Sequence, residues 1–84
     1  MSVWEIAKVR EQGQVFAIVA VKDHVINSSS ERNGVIALWT RQLGCRVALL
    51  GAQQHRTYGP NDIVRWMQGV HPSQLPWQRV TLAA

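Results

Sequence analysis

Two stretches of the chain are apolar almost without a break, Val15 to Val21 (VFAIVAV) and Cys45 to Ala52 (CRVALLGA). Runs this short and this rich in β-branched residues are what a strand covered on both faces requires, so both are predicted to lie at the centre of a sheet. Before the first comes VWEIAKVR, a strand whose pattern is mixed, and EQGQ between them holds the glycine that a tight hairpin reversal uses. The segment KDHVINSSSERNG reads as polar and turn-rich. Ser28 and Glu31 then have capping-box spacing, which starts a helix near Ser29, runs it through VIALWTRQL and stops it at Gly44. At helical periodicity Val35, Ile36, Leu38, Trp39 and Leu43 fall within roughly 160° of arc, one buried face.

A strand, a helix and a strand in succession imply a right-handed crossover with the two apolar strands parallel. Gln53 to His55 then form a hairpin tip before a short return strand, Arg56 to Tyr58. Gly59 and Pro60 lead into a second helix, in which Ile63, Val64, Trp66, Met67 and Val70 share a face and Gly69 is the stop. WQRVTL alternates and is predicted to be a last edge strand. The fold class is therefore α/β of the α+β type: a two-layer sandwich with a mixed sheet of four or five strands and two helices in the order β-β-α-β-(β)-α-β, both helices on one face.

Composition sharpens this. A chain of 84 residues is one domain, and at that size only about 60 to 65% of the unfolded chain's surface is buried, so a second copy or another protein would add stability. Hydrophobic residues are 46% and charged residues 17%, a globular balance that excludes disorder. Trp39 and Trp66 sit on apolar helical faces and belong to the core, whereas Trp4 and Trp77, on predicted outer strands, are candidates for an interaction surface. Cys45 stands alone at the start of an apolar strand. A lone thiol gives no disulfide framework and no cysteine metal site, and it fits a reducing, cytoplasmic setting. No apolar run is long enough for a membrane span. The net charge of +4 comes from basic residues scattered along the chain.

No phosphate loop, dinucleotide fingerprint, zinc-protease helix or nucleophile elbow is present, and no cofactor or metal is implied. Topology supplies the one candidate site. If the two apolar strands are parallel, their carboxyl ends open at the same sheet edge, where α/β sheets bind ligands. Lys22, Asp23 and His24 follow one end, Gln53, Gln54, His55 and Arg56 follow the other, and Ser29 and Ser30 begin the crossover helix, whose free amides favour an anion. The same residues also serve as solvated strand exits and a helix cap.

Three functions are open on this reading. The leading one is a non-catalytic protein-interaction or homodimerising module. The alternative is nucleic-acid binding through scattered basic and aromatic residues, although the element order is not that of an RNA-recognition motif and no basic cluster exists. The last is a small enzyme or anion-ligand site at the strand ends, which needs His24 and His55 to meet. Finally, Leu82, Ala83 and Ala84 resemble the end of the bacterial tmRNA degradation tag, a resemblance that implies proteolytic control.

Overall fold

The structure, a computed structural model, describes residues 2–82. Strands β1 (Ser2–Glu11) and β2 (Gln14–Val21) form a hairpin, followed by a short helix α1 (Asp23–Asn27) and a long one, α2 (Ser29–Leu43). Then come β3 (Arg46–Gly51), β4 (Thr57–Tyr58), helix α3 (Asn61–Met67), a 3-10 turn (Pro72–Gln74) and β5 (Trp77–Leu82). The sheet has the order β4-β3-β2-β1-β5, with β2 and β3 parallel and every other pairing antiparallel.

Local chemistry explains most boundaries. Gln12 and Gly13 have φ of 52° and 77°, the left-handed pair of a two-residue turn whose twist matches that of the strands it joins. The Ser28 hydroxyl accepts from the Glu31 amide at 3.4 Å, and Gly44, at φ 68°, closes α2 by donating its amide to the Thr40 carbonyl at 2.9 Å. Arg46 to Gly51 pairs in parallel register with Phe16 to Val21, so the expected crossover is present. The α+β class and the mixed sheet are as the sequence predicts, and sheet plus α2 make the expected sandwich.

Three expectations need correction. The first is that both helices share a face. Ala17, Val19, Val21, Val47 and Leu49 face Trp39 and the rest of α2, whereas Phe16, Ile18, Ala48 and Leu50 face Ile63 and Met67 of α3. Alternation along β2 and β3 makes both sheet faces apolar, and both need cover. The chain satisfies this because β4 and β5 lie at opposite edges of the sheet. The link between them crosses the face that α2 leaves open.

The second concerns β1, expected at the outside of the sheet but found between β2 and β5. The third is KDHVINSSS, which is not simply a loop. Asp23 to Asn27 form a helical turn whose Ile26 is 4% exposed and packs into the α2-side core. The adjacent Val25 and Ile26, an apolar pair in a polar segment, were the available signal.

Candidate functional site

The carboxyl ends of β2 and β3 do open at one edge, and the groups that follow them are joined there. Asp23 Oδ1 accepts from the backbone amides of Gln53 and Gln54, each at 3.3 Å. Arg56 Nη1 donates to Asn27 Oδ1 at 2.8 Å. Gly51 lets the two segments approach, since a Cβ there would lie 2.6 Å from Asp23 Oδ1. The edge is thus cross-tied by Asp23, one of the groups expected there, and by Asn27, which lies outside the predicted site set.

The two imidazoles are not brought together. His24 lines a cleft of about 610 Å³ with Lys22, Trp4, Val25 and Val35, and its Nε2 lies 4.0 Å from Glu31. His55 sits at φ 55° on the hairpin tip and lines a smaller cavity of about 240 Å³ with Leu50, Met67 and Pro72, residues of the α3 side. Ser29 and Ser30 are exposed, and Ser30 Oγ lies 3.4 Å from the capping Ser28 hydroxyl. Among the described residues no group of three or more His, Cys, Asp or Glu side chains is arranged to hold a metal ion. Nor is any helix among them long and apolar enough to cross a membrane.

At the opposite end of the sheet Arg46 grips Asp62 through two hydrogen bonds, of 3.0 and 2.9 Å, and reaches Gln14 Oε1 at 2.6 Å. Hydrogen bonding by the Arg46 guanidinium, reinforced by its charge, holds the Asp62 carboxyl below its ordinary value of 3.8. Because the folded-state value is the lower one, the pair contributes stability above the unfolded value and loses it as pH falls through the depressed one. Stability is expected to drop on acidification below pH 4, less steeply in Asp62→Asn. Chemical denaturation of both proteins from pH 6 to pH 3 reads this, and parallel curves would overturn it.

The four tryptophans resolve into core members with partners. Trp4 is half-buried, stacks edge-on against Trp39 with ring centroids 5.4 Å apart, and donates from Nε1 to Ser2 Oγ at 2.8 Å. Trp77, also half-buried, donates to the Pro72 carbonyl at 2.8 Å, and Trp66 meets Phe16 edge-on at 5.2 Å. Cys45 is half-buried against the α2-side core. Leu82 ends β5 opposite Ser2, whereas Ala83 and Ala84 lie outside the described residues.

Backbone, not side chains, offers the conspicuous free functionality. One edge of the sheet is the two-residue β4; the other is β5, six residues without a proline and with no strand beyond it among the described residues. Side-chain motifs carry no signal for such an edge, which depends on where a strand falls in the sheet order. Comparison of the chain with protein-family models, with curated proteins and with solved structures gave no match.

Proposed function

We propose that the protein is a non-catalytic interaction module that pairs with a second copy of itself along β5, in a cytoplasmic setting. The observation that carries this reading is the free outer edge of β5. An unpaired strand of this length is a template for another strand unless charge, proline or a bulge blunts it, and here Arg79 is the one charged residue in WQRVTL.

The register of such a pairing follows from parity. The two-residue hairpin makes Glu11 and Gln14 a mutually bonded pair, so odd residues of β1 direct their backbone groups to β2 and even residues direct theirs to β5. Through the pairs Trp4↔Val80 and Ile6↔Gln78, the even residues of β5 are occupied inward. Arg79 and Thr81 therefore turn their amides and carbonyls outward. A two-fold axis at Arg79 would set that residue opposite its own copy, a like-charge clash. An axis at Val80 sets Arg79 against Thr81 of the second copy and gives about four interstrand hydrogen bonds. Half-buried Val80 and Leu82 add apolar contact beside the seam.

Three arginines are already engaged within the chain, which weighs against a nucleic-acid surface. Arg46 holds Asp62, Arg56 holds Asn27, and Arg32 lies 4.1 Å over the Tyr58 ring. Thr81→Pro decides the matter, because it removes an outward amide and leaves the bonds to β1 in place. Sedimentation should show wild type associating to a dimer at micromolar concentrations and Thr81→Pro staying a folded monomer. A wild type that is monomeric throughout that range would overturn the proposal.

A further inference from the structure

The β1–β2 ladder stops at Ile6↔Val19 although β1 continues back to Ser2. Beyond Val21 the chain leaves the sheet for α1, and the Val21 carbonyl accepts the Ala52 amide at 2.8 Å on the far side from β1. Ala20 and Val21, the last residues of β2, lie beside Glu5 and Trp4, so the lane with no strand in it is the one beside Ser2 and Val3. By the parity derived above, the Val3 amide and carbonyl point into that lane, and Val3 is also the most exposed large apolar residue, at 61%. The cleft of about 610 Å³ lies here, with Trp4, Val25 and Val35 as apolar wall, Val21 and Lys22 at its closed end, and Glu5 on its rim.

We propose that this cleft binds the free carboxyl terminus of another polypeptide, held as a short extra strand along Val3 with its carboxylate at Lys22. This site goes beyond the homodimer, because it lies on the other side of β1 from β5. The lane narrows onto the β1–β2 ladder, so a strand lying along Val3 must stop there, a position that suits a chain end. The charge at the closed end selects which. Lys22 is exposed and makes no ion pair among the described residues, so a carboxylate is attracted there and an amino terminus is repelled. A chain entering from the open end with its carboxylate at Lys22 runs parallel to β1, and its last side chain falls against Trp4, Val25 and Val35. Recognition thus combines main-chain bonds with one apolar pocket.

The test titrates the labelled full chain with acetylated hexapeptides of sequence Ser-Gly-Thr-Val-Thr-X, X being Val, Leu or Phe, each as the free acid and as the amide. Amide shifts are expected at Val3 to Glu5, Lys22 and Val25, with the acid binding about tenfold more tightly than its amide twin. Lys22→Gln should abolish that preference. Val3→Pro, which keeps the β1–β5 bonds, should weaken both forms. Equal binding of acid and amide, shifts elsewhere, or no shift at millimolar peptide would overturn the proposal. Running the series in Thr81→Pro keeps it separate from dimerisation, because the cleft is intact whether or not β5 pairs.

Discussion

Replacing Trp39 by alanine is expected to lower the unfolding free energy by about 3 to 5 kcal/mol, against a total of roughly 5 to 15 for a domain of ordinary stability. Trp39 is 1% exposed and lies between α2 and the sheet among Val19, Val47 and Leu49, with Trp4 against its ring. A small chain has few large side chains to fill that layer, and the cavity left by an indole is too wide for its neighbours to close. Trp39→Phe separates volume from polarity. The Trp39 Nε1 is buried and has no hydrogen-bond partner, so phenylalanine gives up some area but also removes a desolvated donor, and its loss should be well under half that of alanine. Urea unfolding followed by circular dichroism measures both. A Trp39→Ala loss under about 1 kcal/mol would mean that the α2 layer is not the main source of stability.

Gly59→Ala is expected to cost about 3 kcal/mol or more, through backbone strain together with overpacking. Gly59 has φ 155°, and a Cβ there would stand 2.8 Å from Ala48 Cβ and 2.9 Å from Ala48 Cα. Ala48 is fully buried in the middle of β3 and cannot retreat without breaking the ladder to β2. The comparison is Gly34→Ala. Gly34 lies in α2 with nothing within 4 Å of a would-be Cβ, so alanine there should stabilise by about 0.5 to 1 kcal/mol through helix propensity. Thermal melts of the two variants should move in opposite directions. A Gly59→Ala melt that matches wild type would show that the loop before α3 tolerates displacement.

The Gly59 result bears on how the fold is encoded. Glycine before Pro60 reads in the sequence as a stop between a strand and a helix, and that boundary is correct. The reason glycine is required there is the approach of Ala48, a residue of another strand, and no local pattern reports it. The candidate site divides in the same way. Lys22, Gln53, His55 and Arg56 fall at the parallel strand ends as their positions in the chain imply. The cross-tie through Asp23 and Asn27 depends on the geometry of α1, a five-residue helix whose sequence resembles a loop. His24 and His55 sit at the same sheet edge yet line different cavities, because α1 carries His24 to the α2 side whereas the turn after β3 sets His55 beside Met67 and Pro72 of the α3 side.

What the sequence by itself determined is everything set by neighbours along the chain: the Gln12–Gly13 turn, the Ser28 cap, the Gly44 stop, the crossover and the alternating last strand. Those features follow from dihedral preference, hydrogen bonding within a turn, and side-chain periodicity, all of which act over a few residues. Only the tertiary structure decided that β1 lies inside the sheet, that α3 covers the face opposite α2, that β5 is left as a free edge, and that β1 outruns β2 to leave a lane beside Val3. Each is a competition between distant segments for the same apolar surface or the same strand edge. It is settled by which pairing buries both faces of β2 and β3 at once, a condition that no single stretch of the chain contains.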